Sequence, residues 1–161
     1  MRTHEIAIHE ETARRIGSVL THFVAESAAG DALLIDRSGQ LLAQCESSRA
    51  LDTVSLSALA AGAFSSTAAM ARLLGESEFT MLFHQGSKQN IHVSAVDEEA
   101  ILLATFDNRT TVGMVRLFAA EAGATISAIL AESRQPSFRA AGLDKTIDVD
   151  HGRPMFRERS R

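Results

Sequence analysis

Apolar positions along this chain follow a helical period in three stretches and shorter strand-like runs in five. Over residues 9–28, Ile16, Val19, Leu20, Phe23 and Val24 repeat at helical spacing while Glu10, Glu11, Arg14 and Arg15 fill the remaining positions, and Gly30 ends the pattern. Two apolar runs follow, 32–35 and 40–44. Between them Asp36, Arg37, Ser38 and Gly39 have the Asp-first, Gly-last order of a tight hairpin turn. After a polar loop and a long charge-free stretch, the runs 79–84 and 91–96 flank a turn at Gln85, Gly86, Ser87 and Lys88. A further turn at Asp97, Glu98 and Glu99 leads to the run 100–106. The last helix is expected over 111–133, with Val115, Leu117, Phe118, Ala122, Ile126, Ile129 and Leu130 on its apolar side. Strands joined by hairpins predict a largely antiparallel sheet, and 100–106 belongs at its centre because a run apolar on both faces needs cover on both.

The stretch 51–75, LDTVSLSALAAGAFSSTAAMARLLG, organises the rest. No charge lies between Asp52 and Arg72. Asp52 can cap a helix N-terminus, Arg72 suits the last turn, and Gly75 is a C-terminal stop, so one long helix is predicted. At about 100° per residue, Leu56, Leu59, Ala63, Met70 and Leu74 share a stripe expected to pack on the sheet. Ala58, Gly62, Ser65 and Ala69 fall opposite, where a surface helix would ordinarily carry Lys and Glu. Two readings of this small face stay open at this point: contact with a second protein, or burial of the whole helix within its own core. A membrane span is the weaker reading, because Thr53, Ser55, Ser57, Ser65, Ser66 and Thr67 make the stretch polar and no second span is evident.

Composition narrows the class. At 161 residues and 45% apolar content the chain suits one domain, expected over 1–134, plus a flexible C-terminal tail over 135–161 that holds both prolines. A formal charge of −4 and the lack of Tyr and Trp argue against a nucleic-acid partner. The single Cys45 excludes an internal disulfide, and the beginning MRTHEIAIHEE has no apolar signal core, so a cytoplasmic location is expected.

The residues that enzyme chemistry would need do not assemble. His4, Glu5 and His9 have HExxxH spacing, which sets the two imidazoles about 140° apart on a helix and unable to share a metal. His84 and His92 fall on neighbouring strands and read as ordinary strand histidines. No GxSxG, GxxxxGK[ST] or GxGxxG motif is present, and Cys45 has no base near it in sequence. No catalytic residue, metal site or cofactor is expected, which favours an interaction protein.

Five words in order, LLIDRSGQLLAQ (33–44), LDTVSLSALAAG (51–62), ARLLGESEF (71–79), FHQG (83–86) and FDNRTTVGMVRL (106–117), resemble the roadblock/dynein-light-chain family, and within it the bacterial MglB branch. The chain departs from the family wording at Ala63, where Asn is frequent, and in its tail. The resemblance implies an α+β fold, an α/β/α sandwich with a five-stranded antiparallel sheet, the long helix on one face and the two terminal helices on the other. It also implies a homodimer that binds a Ras-like small GTPase of the MglA type across its paired long helices and stimulates GTP hydrolysis, in bacterial cell polarity or motility. Carried over by position, Ala61, Gly62, Ser65, Ala69 and Arg72 are the expected partner contacts.

GTPase activators commonly insert an arginine finger. Arg49, Arg72, Arg109 and Arg116 are the candidates here, although MglB-like activators are understood to reposition the GTPase's own catalytic residues instead. The alternative from a different class is a roadblock-type scaffold or adaptor that binds a GTPase or motor component without changing turnover.

Overall fold

The structure, a computed structural model, describes residues 8–45 and 50–135. The first seven residues, the loop 46–49 with Arg49, and the expected tail apart from Gln135 lie outside the described residues. In chain order the elements are α1 (Glu10–Ser27), β1 (Asp31–Asp36), β2 (Leu41–Gln44), α2 (Thr53–Leu73), β3 (Met81–Gln85), β4 (Asn90–Ala95), β5 (Ala100–Phe106) and α3 (Val112–Ser133). The strands form one antiparallel sheet in the order β2-β1-β5-β4-β3, so β5 is central as expected.

Side-chain alternation along the strands builds the two layers. Ala32 and Leu34 of β1, with Ala100, Leu102, Ala104 and Phe106 of β5, face α1 and α3, where Ile16, Leu20, Phe23, Ile126 and Leu130 close the larger core. Leu33, Ile35, Val93, Ile101 and Leu103 point to the other face and meet α2. Every residue of β1 and β5 is buried, which explains why both read as continuous apolar runs.

The ends of α2 follow from its sequence. The Asp52 carboxylate accepts a hydrogen bond from the Ser55 amide at 3.0 Å, and its pKa lies below the usual value, chiefly through hydrogen bonding to Ser55. At the other end Gly75 adopts φ 82, with the Gly75 amide donating to the Arg72 carbonyl at 3.2 Å and the Glu76 amide to the Ala71 carbonyl at 3.0 Å. That pairing is a Schellman stop, which needs a residue tolerant of the left-handed region.

The rotation of α2 about its axis differs from the expected one. Its buried residues are Ser57, Ala60, Ala61, Phe64, Thr67 and Ala71. This is essentially the predicted stripe displaced by one residue, a turn of about 100°. Leu59, Met70 and Leu74, expected against the sheet, are instead 72%, 52% and 74% exposed. Leu56 alone of the large residues expected there packs partly against this core; Phe64, fully buried, fills the space over Leu33, Val93 and Leu103, and the alanines on its side let the helix backbone approach the sheet.

Two contacts hold that rotation. The Arg37 guanidinium lies 4.9 Å from the Phe64 ring centroid, pairs with both Glu78 carboxylate oxygens at 3.1 and 3.2 Å, and donates to the Asp97 carbonyl at 2.9 Å. The first hairpin turn also presses on the helix: Gly39 has φ 98, and a Cβ there would come within 2.9 Å of the Ala58 Cα.

Both α2 and α3 are long and apolar enough to cross a membrane by composition, with mean hydropathies of 1.4 and 1.5. The second corrects the expectation of a single apolar span: Arg116, Glu121 and Glu132 interrupt α3 in sequence without lowering its mean hydropathy below that of α2. Each lays one side on an opposite face of the same sheet, which is why neither needs a charged inner face.

Candidate functional site

Because α2 buries only the side carrying Phe64, the rest of its circumference is presented outward without a charge until Arg72. At about 100° per residue, Gly62, Ser65 and Ala69 run down the middle of this outer face. All three are exposed. Leu59, Met70 and Leu73, the last 87% exposed, flank them on one side, and Val54 and Arg72 on the other. The Ser66 hydroxyl donates to the Gly62 carbonyl at 3.0 Å, so it adds little polarity to the surface. A Cβ added at Gly62 would meet nothing within 4 Å. A contiguous apolar surface with a smooth centre is costly to leave in water and suits a close-approaching protein partner.

The expected contact residues divide in this geometry. Gly62, Ser65, Ala69 and Arg72 lie on the outer face together. Ala61 does not: it is 5% exposed and packed against the sheet, so it leaves the candidate surface. Leu59, Leu73, Met70 and Val54 join it instead. Sequence reasoning set Leu59 and Met70 on the sheet-facing stripe, because it took large apolar residues as markers of the core, and gave Val54 and Leu73 no side. The absence of any Lys or Glu on either side of the helix was the available signal.

The arginines separate as well. Arg72 makes no side-chain hydrogen bond or ion pair among the described residues. Arg109 is held by Asp107 at 2.9 Å, and this pairing raises its pKa and lowers that of Asp107. Arg116 lies on α3, across the sheet from α2, and forms no ion pair with a carboxylate among the described residues. Of the four candidate fingers only Arg72 is on the outer face of α2, Arg49 being outside the described residues. Cys45 is no nucleophile in this setting: it is buried, accepts a hydrogen bond from the Ala32 amide at 3.2 Å, and burial pushes its thiol pKa up.

The second feature is an open sheet edge. Among the described residues β3 pairs with β4 only, and its outer backbone groups have no strand neighbour. Its side chains are anchored on both faces, Leu82 against the core under α2 and Phe83 stacked on Phe106 at 6.0 Å. A rigid edge with free backbone donors and acceptors is a template for another strand.

A Roadblock/LC7 domain model matches residues 16–106, a span that contains the whole of α2 and β3. The fold is similar to that of Myxococcus xanthus MglB, with a TM-score of 0.74 and 30% identity over 81% of this chain and 98% of that one. The gliding protein MglB of Thermus thermophilus gives a TM-score of 0.75 and 32% identity over 80% of this chain and 97% of that one. A third structure, MglB with a tetrameric arrangement, gives 0.76 and 31% over 80% and 97%. Among curated proteins, none matches the chain. A matching domain model over more than half the chain, together with MglB structures matched along nearly their whole length, makes this chain a member of the Roadblock/LC7 family that resembles its MglB proteins.

Proposed function

We propose that this chain is a GTPase-activating regulator without an active site of its own. It pairs with a second copy, binds a Ras-like small GTPase of the MglA type across the outer faces of the two α2 helices, and stimulates GTP hydrolysis. The setting is the bacterial cytoplasm, in cell polarity or motility. The observation that carries this reading is the uncharged outer face of α2, smooth at Gly62, Ser65 and Ala69 and ringed by exposed Leu59, Met70 and Leu73.

The sheet edge supplies the pairing. Two β3 strands meeting antiparallel are related by an axis perpendicular to the sheet, so both α2 helices come to the same side and their outer faces form one platform. Such an interface consists of backbone pairing and apolar contact, and it resists salt better than an ion-paired one. A platform of this kind acts by binding one conformation of the GTPase better than another, which shifts its population toward the hydrolysing state. Arg72 lies on the flank of the platform, where it suits an acidic rim on the partner and leaves the transition-state charge to the GTPase's own residues.

The test is a set of three variants assayed with a cognate GTPase. Ala69→Arg should remain a folded dimer and lose binding and stimulation together, because an unpaired charge closed into an interface costs several kcal/mol. Ala61→Arg should fail to fold, since the same charge is then driven against the sheet. Arg72→Ala should reduce stimulation only modestly, whereas loss of a finger would remove about 10³ to 10⁵ in rate. A folded Ala69→Arg dimer with normal stimulation would refute the proposed surface. Tight binding by the unaltered protein with unchanged turnover would establish the scaffold alternative.

A further inference from the structure

The turn between β4 and β5 consists of three adjacent acids, Asp97, Glu98 and Glu99, and arginines grip it from both faces of the sheet. Its backbone closes with the Val96 amide on the Ala100 carbonyl at 2.9 Å, and the Asp97 carboxylate accepts from the Glu99 and Ala100 amides at 2.9 and 2.8 Å. From the side of α1 and α3, Arg134 at the end of α3 reaches the turn with one guanidinium nitrogen, 3.1 Å from Asp97 Oδ2 and 2.6 Å from Glu99 Oε2. From the side of α2, Arg37 donates its amide to the Glu99 carbonyl at 3.0 Å and a guanidinium nitrogen to the Asp97 carbonyl at 2.9 Å.

The same Arg37 guanidinium braces α2. It lies on the Phe64 ring and holds Glu78 in the segment that follows the helix, while its buried Nε has no partner among the described residues, so the terminal nitrogens carry the whole polar hold. The helix is able to answer a change at that point. It is apolar around its circumference, so no polar face of its own fixes its rotation, and Phe64 with the guanidinium over it sets which side is presented outward. Arg37 is half-buried, whereas Arg134 is exposed and within reach of a second protein. With Arg134 drawn off, three neighbouring carboxylates lose their counter-charge on that side and pull on Arg37, the other cation bonded to the turn, in competition with Glu78 and Phe64.

We propose that Arg134 is a positioning residue for the outer face of α2, acting through the β4–β5 turn and Arg37. An anionic group of a second protein that takes up the Arg134 guanidinium loosens the hold on Phe64, and so alters the α2 face from the opposite side of the sheet. The relay to α2 stands apart from the GTPase reading, on which only its effect on GTPase binding rests.

The full chain, labelled in its phenylalanine and methionine side chains, should be compared by NMR with Arg134→Gln, Arg134→Lys and Arg15→Gln. The Phe64 ring reports the inner side of α2 and the Met70 methyl its outer side. Arg15 pairs with Glu132 in the same last turn of α3 at 2.8 Å and bonds no residue of the β4–β5 turn among the described residues, so Arg15→Gln controls for mere loosening of the helix end. Both resonances should shift in Arg134→Gln, return most of the way in Arg134→Lys and stay in place in Arg15→Gln. Coupling is reciprocal, so Glu78→Gln should move the Arg134 Nε resonance. With a cognate GTPase, Arg134→Gln should bind about two- to fivefold more weakly, the range that one partly exposed ion pair supports. Unmoved Phe64 and Met70 in Arg134→Gln, equal shifts in Arg15→Gln, or an Arg134 resonance indifferent to Glu78→Gln would overturn the relay. So would a GTPase affinity lost in Ala69→Arg but unaltered in Arg134→Gln. The expected shifts in a chain that binds no GTPase at all would uphold the relay and overturn the GTPase reading instead.

Discussion

Gly62 offers the sharpest perturbation, because a single methyl group should move stability and binding in opposite directions. It lies in the interior of α2, where glycine costs about 0.5–1 kcal/mol relative to alanine through the freedom it loses on folding. Nothing stands within 4 Å of the Cβ position, so Gly62→Ala meets no clash within the subunit and should stabilise the free protein by about that amount. For a chain of this length that is a rise of roughly 1–4 °C in melting temperature. If the partner's backbone approaches this point of the outer face, the same methyl overpacks the contact and costs about 1–3 kcal/mol, or roughly a 5- to 150-fold loss of affinity. Calorimetric melting of the free protein and titration calorimetry with the GTPase read the two effects separately. A fall in melting temperature would refute the outward placement of Gly62. A rise with unaltered affinity would show that no close contact forms there.

The turn that braces α2 should be as sensitive as Gly62 is tolerant. Gly39→Ala combines a left-handed backbone, φ 98, with a Cβ driven to 2.9 Å from the Ala58 Cα, and should destabilise by about 2 kcal/mol or more in urea unfolding. Phe64→Ala removes the largest side chain between α2 and the sheet and should cost about 3–5 kcal/mol by the same measurement. His92→Leu should instead stabilise the protein by about 1–3 kcal/mol at neutral pH, since it removes two buried unpaired nitrogens. The pH dependence has a definite sign. His92 has a folded pKa below 6.5, so the unfolded chain binds the proton more readily and stability falls as pH drops through 6.5 toward the folded value. That part of the slope should vanish in His92→Leu, and unfolding curves at a series of pH values check it.

Much of this architecture was legible in the residues themselves. The hairpin at Asp36 to Gly39, the cap at Asp52, the stop at Gly75 and the central place of β5 all rest on local chemistry or on strand alternation, which act over a few neighbouring residues. That α2 is uncharged over nearly its whole length was legible too, which left contact with a second protein and burial in its own core as the two readings of its small face. Its direction was not. Apolar residues surround α2 on every side, so a helical period fits several rotations equally well, and the choice falls to contacts made at long sequence separation. Phe64 finds its place only over Leu33, Val93 and Leu103, and Arg37 reaches Glu78 across 41 residues to lie on its ring. The burial of His92 was equally out of reach: it reads as a routine strand residue until α3 is laid across it. Local patterning determines which elements form and where they end, whereas packing between distant segments decides which side of an evenly apolar helix is buried and which is left exposed.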